Sequence, residues 1–169
     1  MLKFETIIEM GAELVQTHET RDPFQLAEEL GIHIRYVDDF TKLKGMYRVI
    51  RGCRFIFLNS NLNERTLRIV CAHELGHDQL HRPLALTGAF QEFMLYDMST
   101  RPEYEANIFA MEILLDSDDV LRLSYDGYDI EQIARELNSD INLVALKVAH
   151  LRNQGYQLNL FEHKSNFLR

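Results

Sequence analysis

The sequence is poor in the features that staple a chain, anchor it or divide it. Of its 169 residues only two are cysteines, Cys53 and Cys71. They make neither a metal-type pair nor a disulfide framework, and both read as reduced thiols of a cytoplasmic protein. Cys71 fits a small buried apolar residue better than a working thiol. No apolar run approaches the ~20 residues that span a bilayer. The opening "MLKFETIIEMGAELVQTHETRDP" threads glutamates through its apolar positions and has no small-residue cleavage site, unlike a signal peptide. Basic residues are also scarce. Eighteen Lys and Arg against 26 Asp and Glu give a net charge of −8, which disfavours any general affinity for nucleic acid or anionic membrane. Repeats, low-complexity tracts and Pro- or Ser-rich linkers are missing, so residues 1–169 read as a single domain.

What remains is an ordinary soluble composition, 46% hydrophobic and 26% charged, with enough length for a real core. Within residues 1–60, Phe4, Ile7, Ile8, Gly11, Leu14 and Val15 recur at helical spacing. A second, short helix around "FQLAEEL" is closed by Gly31. "IHIRYV" alternates as a half-buried strand, and "GMYRVI" and "RFIFLN" flank "RGC" as a hairpin. Residues 61–115 should hold two helices. The first is capped by Asn61 with Glu64, runs through Leu67, Val70 and Leu75 to about Leu80, and is ended by Pro83. The second begins near Pro102. Residues 84–98, with "AFQEFMLYD", suit either a strand or a covering loop. "SDDVLRL", "DIEQIARELN" and "INLVALKVAHLRNQ" predict three helices over 116–155, ahead of a looser tail over 156–169. The expected class is α+β, a small three-stranded antiparallel sheet packed on a mostly helical, gluzincin-like core.

The chemistry concentrates in "CAHELGHDQLH", residues 71–81. His73-Glu74-Leu75-Gly76-His77 is an HExxH pattern inside a predicted helix. Residues i and i+4 share a helix face, so both imidazoles can converge on one ion. Glu74, about 100° round the helix, stands beside that ion, where it can take a proton from water that zinc acidifies. An exposed polar face at the same spacing is the plainer alternative. Glycine inside a helix costs about 1 kcal/mol relative to alanine, and close approach of another helix would justify Gly76. His81 lies ~12 Å along a straight helix from His73 and reads as a capping or packing residue.

A catalytic zinc needs a third protein ligand. The long metzincin motif would place Gly at 80 and His at 83, and the chain has Leu80 and Pro83. A gluzincin-like site takes a glutamate from a following helix, and "PEYEAN" offers Glu103 and Glu105 on nearly opposite faces. Glu103 is preferred, because Asn107 one turn on could hold its carboxylate as an outer partner. Against it, Thr100-x-x-Glu103 is also a capping box, which would commit the carboxylate to the backbone.

"CAHELGHDQLH" followed by "EYEANIFAMEILL" resembles the ImmA/IrrE family of metallopeptidases, over roughly residues 30–115. The resemblance implies zinc held by His73, His77 and Glu103, with Glu74 as general base, in an intracellular endopeptidase. It further implies an antirepressor of a phage or mobile element, whose protein substrate is a helix-turn-helix transcriptional repressor. One departure is "DSDD" after the Leu pair, where the family often has Met-Pro.

Besides the cation, the reaction wants an oxyanion donor, and Tyr96, Tyr104, Tyr125, Tyr128 and His150 are unranked candidates. "RFIFLN" could offer a sheet edge to an extended substrate. Two other readings compete. A zinc-stabilised regulator could inactivate a repressor by binding it with little proteolysis. A DNA-binding regulator could use the helix-turn-helix spacing of Ala134, Asn138–Ser139, Val144 and Leu146. Residues 126–155 carry five acids against three Lys and Arg, the wrong balance for a DNA reader.

Overall fold

A computed structural model of the chain describes residues 3–86 and 100–158. The chain divides into two compact units, with the boundary between Leu114 and Leu115. In the first, α1 (Phe4–His18) and α2 (Pro23–Glu29) precede β1 (His33–Val37), β2 (Gly45–Ile50) and β3 (Cys53–Asn59), followed by α3 (Glu64–Leu86) and α4 (Arg101–Leu114). Seven described helices and one three-stranded sheet make the class α+β, as the pattern predicts.

The sheet is mixed, however, and not antiparallel throughout. Its strand order is β1-β3-β2, with β3 antiparallel to β2 and parallel to β1. The link over residues 38–44 reverses the chain but skips one strand position, and the hairpin then folds β3 back into the gap. A strand antiparallel to β2 must there run parallel to β1. The hairpin closes through Arg51 and Gly52, both at positive φ, the two-residue turn that matches strand twist. Tyr47 faces Ile56 and Gly45 faces Leu58 across the ladder, and all four are buried.

The site helix α3 differs from its predicted form at both ends. Its cap is Asn63, whose Oδ1 accepts from the Thr66 amide at 2.9 Å. Asn61 instead donates its side-chain amide to the Asp38 carbonyl. At the far end, Pro83 does not stop the helix. The backbone breaks at His81 (φ −126°, ψ 17°) and helical geometry resumes to Leu86. Proline has no N–H to return to Gln79 and sits comfortably in the first turn of the new segment. Helix α4 packs along α3, and Arg21 caps its C-terminus by donating to the carbonyls of Glu112 (2.7 Å) and Ile113 (3.2 Å). "AFQEFMLYD" lies outside the described residues.

The second unit holds α5 (Ser117–Tyr125), α6 (Ile130–Glu136) and α7 (Ile141–Asn153), the three helices expected. Each begins on an aspartate, Asp116, Asp129 or Asp140, whose side chain accepts from first-turn amides. Among the described residues, no helix is long and apolar enough to cross a membrane.

Candidate metal centre

Helical period places His73 and His77 one turn apart on α3, and their rings meet edge to face with centroids 4.8 Å apart. Helix α4 brings Glu103 against them, fully buried. His73 Nε2 stands 3.0 Å from Glu103 Oε2, and His77 Nε2 stands 3.2 Å from Glu103 Oε1 and 3.1 Å from His73 Nε2. All three donor atoms fall within 4.8 Å of one another, a group that could hold a metal ion. Glu103 is therefore not spent on the capping box, and the Thr100 hydroxyl makes no hydrogen bond.

Gly76 makes this approach possible. A methyl group at Gly76 would sit 3.1 Å from the Ala106 Cα and carbonyl oxygen and 3.3 Å from its Cβ. Ala106 lies between Glu103 and Asn107 on the packed face of α4. A second close approach, at Gly45, was not anticipated. A Cβ there would meet Val70 Cγ1 at 2.3 Å and Glu74 Oε1 at 3.1 Å. Strand β2 thus lies directly on the Glu74 side of α3.

The donor set is unbalanced as it stands. Asn107 Oδ1 lies 2.9 Å from His73 Nδ1 and can only accept, so that nitrogen carries a proton. A neutral His73 then presents a lone pair at Nε2 to a carboxylate that also only accepts. Glu103 Oε1, buried, makes no hydrogen bond among the described residues. Acceptors facing one point need a proton or a cation between them, and two imidazoles with a carboxylate are a common zinc set. Tetrahedral bonds of ~2.0–2.1 Å put ligand atoms about 3.3 Å apart, close to the observed separations. The residues fit a zinc ion.

Electrostatics carry the same signature. Burial alone would lower the His73 pKa, but the Glu103 hydrogen bond and the charges of Glu74 and Glu103 raise it above its ordinary value. His77 is pushed down to about 4, chiefly by burial. Burial acts to raise Glu103, yet the close approach and charge of both histidines bring it to about 2. Glu74 is driven up to about 7 by burial, against the charge of His73 and a hydrogen bond from the Tyr47 amide.

The expected outer partner is present with a different job. Asn107 holds His73 and not Glu103, because the imidazole from α3 comes within reach of the amide. Glu105 is also buried. It pairs with His81 at 3.0 Å and with Arg101 at 2.6 Å, and His81 Nδ1 lies 3.1 Å from His77 Nδ1. Asp78 was missed altogether. It is buried and accepts from the Tyr47 hydroxyl at 2.7 Å, Arg54 at 2.9 Å and Arg82 at 3.1 Å. Its only advance signal was a carboxylate directly after the HExxH turn. Of the oxyanion candidates, Tyr104 is exposed on α4, Tyr125, Tyr128 and His150 belong to the second unit, and Tyr96 lies outside the described residues. Cys71 is buried as expected, its thiol pKa raised by burial.

The chain is similar in sequence to known proteins. The peptidase M78 model, described as an IrrE N-terminal-like domain, matches residues 18–148. An immunity region protein of Bacillus phage phi105 is 33% identical over 140 residues, covering 83% of this chain and 84% of its own length. Metallopeptidase ImmA of Bacillus subtilis is 28% identical over 132 residues, covering 74% and 73%. The chain belongs to the peptidase M78 family, the ImmA/IrrE metallopeptidases.

Proposed function

We propose that this protein is a zinc-dependent endopeptidase of the cytoplasm. It acts as an antirepressor by cutting a helix-turn-helix repressor of a phage or mobile element. The observation that carries the reading is the convergence of His73, His77 and Glu103 with a buried Glu103 oxygen left without a hydrogen bond. The immunity-region name of the phage relative and the metallopeptidase name of the bacterial one favour the same setting.

In this reading His73, His77 and Glu103 hold the cation. Bound there, zinc would supply Lewis-acid polarisation of the scissile carbonyl and of water. Glu74 takes the proton from the attacking water as the C–O bond forms, and delivers it to the leaving nitrogen as the C–N bond breaks. Asn107 fixes the His73 tautomer. The recognition edge moves from its expected place. Strand β3 is central, paired on both sides, and has no edge to offer, whereas the terminal strand β2 runs beside Glu74. An extended peptide laid along β2 would bring its backbone past the base.

Glu74→Gln should keep zinc and lose about 10²–10⁴-fold in cleavage rate. The measurement is incubation with candidate repressors, read by mass spectrometry for a single cut. Full activity in that variant would sink the mechanism. A repressor bound tightly but left intact by the natural protein would make it a binding regulator.

A further inference from the structure

His81 lies outside the group that could hold the metal, yet it is buried and its ring lies 5.2 Å from that of His77, centroid to centroid. Its two nitrogens face different partners. Nδ1 stands 3.1 Å from His77 Nδ1, and Nε2 stands 3.0 Å from Glu105 Oε2. The other oxygen of Glu105 accepts from Arg101 Nε at 2.6 Å. Four side chains thus form a file running from the edge of the site to a guanidinium.

The direction of the file follows from donor chemistry. A carboxylate paired with Arg101 accepts, so the proton in the His81–Glu105 contact belongs to His81 Nε2. A neutral imidazole carries one N–H, which leaves His81 Nδ1 as an acceptor. The 3.1 Å contact with His77 Nδ1 is then a hydrogen bond only if His77 donates. With its proton on Nδ1, His77 carries its lone pair on Nε2, the atom turned toward His73 and Glu103. Asn107 imposes the same tautomer on His73 in one step. On the His77 side a second histidine is interposed before the carboxylate is reached.

We propose that His81, backed by Glu105 and Arg101, is a positioning residue that fixes His77 as the Nδ1–H tautomer and aims its Nε2 into the metal site. The metal-binding consequence rests on the reading of His77 as a ligand; the tautomer does not. Outer partners of this kind typically account for 10–100-fold in metal affinity.

The test uses the full chain, ¹⁵N-labelled, in two forms. Two-bond ¹H–¹⁵N spectra of the imidazoles in cation-free protein above neutral pH should show His77 protonated at Nδ1 and His81 at Nε2. Zinc affinity, measured by competition with a chromophoric chelator, should fall about 10–100-fold in His81→Leu. In His81→Gln the carbonyl can still accept from His77 and the amide can still donate to Glu105. That variant should stay within about threefold of the natural protein. A cation-free His77 protonated at Nε2 overturns the proposal. So does a His81→Leu affinity within about twofold of the natural protein, or a glutamine variant as weak as the leucine one. If the natural protein takes no zinc, the ligand reading fails, and the tautomer pattern alone upholds or overturns the role of His81. The same spectra decide the matter if His81→Leu does not fold.

Discussion

His77 and Asp78 are consecutive buried residues of α3, yet they end in two different kinds of polar cluster. Asp78 gathers the Tyr47 hydroxyl, Arg54, Arg82 and the Gln79 amide, so one negative charge meets donors from β2, β3 and its own helix. That cluster is complete with protein atoms alone, as a buried charge must be if it serves structure. The His73, His77 and Glu103 cluster is as well buried but holds a surplus of acceptors, with Glu103 Oε1 making no hydrogen bond among the described residues. Natural interiors rarely leave such an atom without an external reason. Completeness separates the cluster that holds the fold together from the one that could hold a metal ion.

The comparison breaks most sharply on metal-linked stability. Zinc at about a thousandfold its Kd should stabilise the natural protein by about 4 kcal/mol. His73→Ala should lose that gain, and its cation-free stability should also fall, because the buried Glu103 carboxylate loses a partner that helps hold its pKa low. Thermal unfolding with and without chelator reads both. A zinc-dependent shift that survives intact in His73→Ala would contradict the assignment of the incomplete cluster.

The opposite zinc-linked behaviour is expected of Asp78→Ala. Removing the carboxylate strands the buried Tyr47 hydroxyl and Arg54, whose side chain is 23% exposed. Breaking a buried pair costs about 3–5 kcal/mol, and the partial exposure of Arg54 puts this case near 3. Denaturant unfolding of the cation-free protein should show that loss, and the zinc-dependent increment should persist in the variant. A loss below about 1 kcal/mol would mean that the network does not hold α3 to the sheet.

How far the sequence reached follows the same division. The pairing of His73 with His77 and the place of Glu74 beside them depend on geometry within one helix, which a period of 3.6 fixes in advance, whereas Gly76 pointed to a second helix only through the cost of glycine inside a helix. The angle between neighbours on α4 says only that Glu103 and Glu105 cannot both face the site, and the preference for Glu103 leaned on Asn107 one turn on. Assigning Asn107 to the carboxylate went astray because i,i+4 spacing sees its own helix and not the histidine arriving from α3. His81 and Glu105, read separately as packing and as poorly placed, meet across 24 residues, a contact that neither segment announces. Asp78 went unread for the same reason, since its partners Tyr47 and Arg54 come from β2 and β3. Alternation within each strand located β1, β2 and β3, but their order depends on where a loop crosses, so parallel pairing and the burial of β3 between two neighbours could not be read. The helix cap was displaced by two residues because Asn61 and Asn63 both suit the position chemically, and only the tertiary contact to Asp38 separates them.

The smallest expected effect tests what joins the helices of the incomplete cluster. Gly76→Ala gains about 1 kcal/mol of helix propensity but puts a methyl group 3.1 Å from Ala106 backbone atoms. Overpacking of this kind costs about 1–3 kcal/mol, so the net loss of stability should be about 1 kcal/mol, and the same strain has a larger local consequence. Ala106 lies three residues from Glu103 and next to Asn107, so moving it outward withdraws a proposed ligand and the partner of another in one step. Zinc affinity should fall about tenfold, as for a displaced outer partner, while Asp78, on another face of α3, keeps its donors. A stability loss with unaltered zinc affinity would show that close packing at Gly76 does not seat Glu103, and that the carboxylate is delivered by some other contact of α4.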